Sequence, residues 1–111
     1  MNLKVLAVCS RNQWRSPTAE RLINARPGYQ ARSAGTEATA RVRVNARHIA
    51  WADVILVMEH RHARRLRELF GAALAGKAIH CLDVPDDYQF MDPELVELLQ
   101  QRLTEVLASP P

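Results

Sequence analysis

Aromatic residues are scarce in this chain: two Trp, two Tyr and two Phe among 111 residues. Its core must therefore be aliphatic, and a nucleic-acid surface of interleaved rings and cations is possible but unsupported. Glycine is also sparse, at four residues, with no low-complexity tract, internal repeat or flexible linker. Two cysteines do not make a disulfide framework, and a reducing, cytoplasmic setting is expected. No run of 18 apolar residues occurs, so no membrane span is expected. No charged leader precedes a long apolar region, so no secretion signal is expected either. The formal charge of +3 and pI near 9.3 suit an anionic partner without requiring one. One domain, 1–111, is expected, able to bury roughly 65% of its extended-chain surface. Only Ser109-Pro110-Pro111 is expected to fray.

What is present is concentrated in Val8 to Glu20. A short apolar run, Leu3 to Val8, leads in, and a helical pattern, Pro17 to Ala25, leads out. A strand–loop–helix unit of this kind gathers backbone N–H groups around one point at a helix N-terminus, which binds an anion of phosphate shape. The positive field there favours the thiolate form of Cys9. Arg15 can close the ring with a planar fork that pairs two phosphate oxygens. Ser16 sits where its hydroxyl either caps the helix or donates to the thiolate.

The remaining pattern alternates strand and helix. Tyr29 to Ala34 reads as a strand closed by Gly35, and Thr36 to Asn45 as a loop before a short helix near Val44 to Ala50. Asp53 to Met58 is a branched-residue strand, followed by a helix from Glu59 to Phe70 with Ala63, Leu66, Leu69 and Phe70 inward. Gly71 or Gly76 marks its end. Lys77 to Leu82 is a fourth strand and Asp83 to Met91 a loop. Asp92 caps a last helix that begins at Pro93, with Leu95, Leu98, Leu99, Leu103 and Val106 as its apolar stripe. This order predicts an α/β fold with a parallel sheet and right-handed crossovers. Ligands of such sheets bind beyond the carboxyl ends of the strands, so Cys9 and Asp86 can reach the same rim.

The segment Cys9 to Glu20, read as C-x-x-x-x-x-R-S-P-T-A-E with Asn12 inside the loop, resembles the low-molecular-weight protein tyrosine phosphatase family, in particular its short bacterial members described as predicted tyrosine phosphatases. Three further stretches match in order: Arg32 to Thr36, Ala52 to Glu59 and Val84 to Tyr88. The resemblance implies three layers, with a four-stranded parallel sheet in the order 2-1-3-4 and helices on both faces. It implies a phosphomonoester hydrolase acting on a phosphorylated substrate, phosphotyrosine protein first, through a phosphocysteine and without metal or cofactor. Cys9 would be the nucleophile, Arg15 the phosphate clamp, and Ser10, Arg11, Asn12, Gln13, Trp14 and Ser16 the substrate loop. Aligning Pro85 and Tyr88 places the general acid at Asp86, with Asp87, which replaces the family's proline, as the rival. Tyr88 would be an aromatic wall for the substrate or would simply pack against the last helix.

Three departures from the pattern carry expectations of their own. Arg11 stands where relatives have glycine, so Asn12 or Gln13 must take the strained backbone position. Trp14 either faces the core or shapes the pocket. The chain is short between Thr36 and Asn45, where relatives build part of the pocket wall. His48, His60, His62 and His80 form no metal-ligand pattern and read as surface or satisfied core groups. Arg61, Arg64, Arg65 and Arg67 read as a solvated helix face. Three alternatives stay open: an arsenate reductase on the same fold, which would need Cys81 to approach Cys9; a phosphatase of a nucleotide or nucleic-acid phosphate end; and a non-catalytic phosphate-binding module.

Overall fold

A computed structural model describes residues 2–107; the Ser109-Pro110-Pro111 tail lies outside them. The order of elements is β1 (Leu3–Cys9), α1 (Arg15–Asn24), β2 (Tyr29–Gly35), α2 (Ala46–Trp51), β3 (Val54–Val57), α3 (His60–Phe70), a 3-10 turn (Gly71–Leu74), β4 (Ala78–Cys81) and α4 (Pro93–Val106). The four strands form one parallel sheet in the order β2-β1-β3-β4. Parallel pairing with helices on both faces buries a strand twice, which is why β1 is apolar without a break from Val5 to Cys9. Val5, Leu6, Ala7, Val8 and Cys9 are all buried.

The pleat sends alternate residues to opposite layers. Val5, Ala7 and Cys9 meet Ala19, Leu22 and Ile23 of α1 and Leu95, Leu99 and Leu103 of α4. Leu6 and Val8 meet Ile49 of α2 and Ala63 and Leu66 of α3. The layers are almost wholly aliphatic, as the scarcity of rings requires. Because β1 lies between β2 and β3, the loop after it sits where the strand order reverses, the usual ligand position in such sheets. Among the described residues, no helix is long and apolar enough to cross a membrane.

The starts of α1 and α2 each differ from the pattern by two residues, for local reasons, while α4 starts at Pro93 as expected. α1 begins at Arg15 rather than Pro17, since Pro17 falls within the first turn, where its missing N–H costs nothing. α2 begins at Ala46 because Asn45 caps it, Oδ1 accepting from the N–H groups of Arg47 at 2.9 Å and His48 at 3.1 Å. Asp92 does the same for α4, accepting from the Glu94 N–H at 2.9 Å. Gly71, at φ 44°, closes α3.

Candidate active site

The loop between β1 and α1 turns through Asn12, whose φ is 55°. Arg11 occupies the glycine-like position without adopting left-handed backbone, because its neighbour does so; asparagine tolerates that geometry best after glycine. From beneath, the connection after β2 holds the loop. The Thr36 N–H donates to the Cys9 carbonyl at 3.0 Å, Glu37 N–H to Ser10 at 2.9 Å and Arg41 N–H to Arg11 at 3.0 Å. Arg41 Nε adds a bond to the Asn12 carbonyl at 3.0 Å. The short Thr36 to Asn45 stretch is thus a buttress for the loop. Such close backbone approach needs Gly35: a Cβ there would stand 2.6 Å from the Ser10 carbonyl oxygen and 2.7 Å from Ala40 Cβ.

Cys9 is 3% exposed, and its sulfur accepts the Asn12 backbone N–H at 3.2 Å. Ser16 Oγ lies 2.9 Å from it. A buried chain sets the direction of that contact. The Glu20 carboxylate can only accept, so Ser33 Oγ donates to it. Ser33 must then accept from Asn12 Nδ2, at 2.8 Å, whose second proton goes to Ser16 Oγ at 2.9 Å. Ser16 keeps its own proton, for which the sulfur at 2.9 Å is a nearer acceptor than the Ala34 carbonyl at 3.4 Å. The same logic fixes the Asn12 amide, although its Oδ1 is buried without a partner among the described residues. Ser16 therefore serves Cys9 rather than capping α1, which has no side-chain cap.

Arg15 is buried, 2% exposed. Its Nη1 donates to the Glu59 carboxylate and to the Val84 carbonyl, the latter at 2.8 Å. Nε lies 3.6 Å from Asp86 Oδ1. Glu59 also accepts from Arg61 Nε at 2.7 Å. The Arg61 hydrogen bond, then that of Arg15 and the charge of both, outweigh burial and hold the Glu59 carboxyl down at about 2.

Beside Glu59 stands His62, which its sequence context does not mark as part of a site. Nδ1 accepts the Glu59 backbone N–H at 3.1 Å, so the proton is on Nε2, which donates to Ser10 Oγ at 2.9 Å. Burial first, then the positive charges of Arg15 and Arg61, push His62 down to about 4. It is neutral at pH 7 and fixes the Ser10 hydroxyl. The only signal in the sequence was its place three residues after Glu59, at the start of α3.

Cys9, Ser10, Arg11, Gln13, Trp14, Arg15 and Asp86 line one small cavity of ≈ 30 Å³, sized for a compact anion. Asn12 and Ser16 lie buried below it. Trp14 is 40% exposed at the rim rather than turned into the core. Both Asp86 and Asp87 are exposed, but only Asp86 lines the cavity. Tyr88 is half-buried, packed against the layer of α1 and α4, and does not line the cavity.

The pH dependence of stability should report His62. Its folded value lies below its ordinary 6.5, so the unfolded chain takes up the proton first. Stability should be unaffected by this group above pH 6.5. It should then fall as pH drops towards about 4, by about 3 kcal/mol in all. The Glu59 contribution is lost lower, between 4.5 and about 2. His62→Gln, whose amide can both accept and donate, should flatten the upper window in urea unfolding followed against pH. A wild-type curve as flat as that of the variant would show that the folded chain binds the proton as readily as the unfolded one.

No family model matches the chain, and no curated protein matches it. Solved structures do. The tyrosine phosphatase Wzb from Escherichia coli K30, in complex with phosphate, is 22% identical with TM-score 0.71, covering 100% of both chains. A low-molecular-weight protein tyrosine phosphatase from T. tengcongensis is 23% identical, TM-score 0.74, covering 96% of this chain and 100% of its own. The YwlE arginine phosphatase from Geobacillus stearothermophilus is 24% identical, TM-score 0.69, covering 96% and 94%. The protein thus has the fold of the low-molecular-weight protein tyrosine phosphatases over its described length.

Proposed function

We propose that residues 1–111 form one phosphatase-like domain that hydrolyses phosphomonoesters through a phosphocysteine, with aryl phosphates such as phosphotyrosine as the preferred class. The observation that carries this reading is one cavity with the Cys9 sulfur, the Arg15 guanidinium and the Asp86 carboxylate on its walls. In the reaction, the Cys9 thiolate attacks phosphorus in line and the P–O bond to the leaving group breaks. Loop N–H groups and Arg15 stabilise the charge on the equatorial oxygens. The Ser16 hydroxyl and Asn12 N–H hold the sulfur as it forms and later leaves the phosphoenzyme. Water then attacks phosphorus, releasing phosphate and the thiolate. Trp14 at the rim, rather than Tyr88, supplies the ring against which an aryl group can lie. A reducing, cytoplasmic setting suits the thiolate. The relatives include an arginine phosphatase and tyrosine phosphatases, so the fold accommodates different leaving groups; the exposed Trp14 favours an aryl one.

Asp86 is the proposed acid, protonating the departing oxygen and later taking a proton from the attacking water. Its place among the residues lining the cavity, where Asp87 is absent, supports this choice. Asp86→Asn should slow phosphotyrosine peptides about 10²-fold or more. A nitrophenyl ester should be slowed less, because nitrophenolate leaves with little need of a proton. Asp87→Asn should be close to neutral on both. The dependence of kcat/KM on leaving-group pKa decides; a steeper dependence for Asp87→Asn alone would move the role to that residue.

The arsenate-reductase alternative loses its main support in the geometry. Cys81 pairs in register with Val57 on β3, and Val57 with Val8 on β1. Two strand spacings, roughly 9–10 Å, exceed the Cα separation that a disulfide spans. Moreover, Cys9 faces the layer of α1 and α4 while Cys81 packs with that of α2 and α3.

A further inference from the structure

Ser10 is a wall shared by two cavities. One is the phosphate pocket; the other is a hollow of ≈ 340 Å³ beside it, also lined by Arg43, Arg61, Arg65, Glu37 and His62. We propose that this hollow is a second anion subsite, so that the preferred substrate carries a further phosphate or carboxylate next to the scissile phosphoester. The proposal rests on the phosphatase reading above and adds the substrate class.

The arginines of α3 are not one solvated face. Arg61 and Arg65 stand four residues apart and so share a side of the helix, the side turned to the hollow. Arg64 and Arg67 line a different hollow, with His60 and Cys81. Arg43 reaches the same place from the other direction, carried by the isolated parallel bridge of its backbone to Gly35. Three guanidiniums therefore converge on a space that holds one carboxylate, Glu37, which is already paired with Arg11 at 3.1 Å. Arg61 is occupied by Glu59 and supplies field more than contact. Among the described residues Arg65 is held only by an exposed pair with Glu68 at 3.1 Å, a bond weak enough to exchange for a ligand. Arg43 makes no side-chain hydrogen bond or ion pair among the described residues, which leaves its fork for an anion. Neutral His62 donates to Ser10 Oγ, so the Ser10 proton remains to be given to an anion in either cavity.

The test compares phenyl phosphate, 3-carboxyphenyl phosphate and benzene-1,3-diyl bisphosphate at low ionic strength. The wild-type chain is measured beside the double variant Arg43→Gln/Arg65→Gln. At least one of the two esters bearing a second anionic group should be favoured over phenyl phosphate by about fivefold or more in kcat/KM. That preference should vanish in the double variant while phenyl phosphate turnover stays within about twofold. Which ester gains more tells phosphate from carboxylate as the second group. Arg47→Gln/Arg67→Gln removes the same charge elsewhere and should keep the preference. Its loss there too would reduce the effect to net charge and overturn the subsite, as would equal kcat/KM for all three esters. Calorimetric binding of the same compounds to Cys9→Ser reads the subsite without turnover. A wild-type chain that turns over none of them thus fails as a phosphatase, while the binding ranking still judges the hollow.

Discussion

Cys9→Ser is expected to lower kcat on an aryl phosphate by at least about 10⁴-fold, the scale on which removing a covalent nucleophile acts. A serine hydroxyl is nearly the same shape, so the buried position and its contacts to the Asn12 N–H and Ser16 survive, and melting temperature should move by only a few degrees. The variant hydroxyl carries its proton at neutral pH, and nothing within hydrogen-bond reach of this sulfur can act as its base. Inorganic phosphate should bind about as well as before, because the loop N–H groups and Arg15 are unchanged. Rapid acid quench of the wild-type protein with a radiolabelled ester should trap one phosphoryl group per chain, and the variant none. Residual turnover above about one part in a hundred, or phosphoenzyme in the variant, would remove Cys9 from the reaction.

Legibility in the sequence followed the burial of each element. β1 was readable because both its faces are covered, and α4 because its leucines recur at helical spacing against one layer. The grouping of the loop residues was readable because it is local: Cys9, the turn at Asn12 and Arg15 lie within seven residues of chain. The strand order came from the resemblance, but which side chains that order sets in contact was not readable. His62 and Glu59 follow β3, and only the pairing of β3 with β1 sets them beside Ser10 and Arg15. Nor does a histidine at the start of a helix distinguish surface from site. The sequence leaves both aromatic residues open, Trp14 between core and pocket and Tyr88 between substrate wall and packing: the loop after β4 turns the tyrosine onto the core while the loop after β1 leaves the tryptophan at the rim. The direction of the arginines on α3 likewise required the neighbours of that helix.

Arg15→Lys is expected to lower kcat/KM by about 10²–10³-fold, the cost of losing a preorganised donor to the transition state. The guanidinium has two tasks at once. Nη1 is committed to Glu59 and the Val84 carbonyl, while the rest of the same rigid plane is held at the cavity. A lysine ammonium carries the charge but has three donors on one atom. If it reaches Glu59 it cannot also present two parallel N–H groups to phosphate oxygens. Because charge is retained beside Glu59, the folded state should survive, which separates the catalytic loss from a folding loss; Arg15→Ala, which empties a buried position, should lose both. The inhibition constant of inorganic phosphate should rise in Arg15→Lys, and kcat should fall as well, as expected of a fork that would serve ground state and transition state together. An unchanged kcat/KM, or a loss fully matched by unfolding in a thermal melt, would show that Arg15 braces Glu59 and β4 without closing over the phosphate.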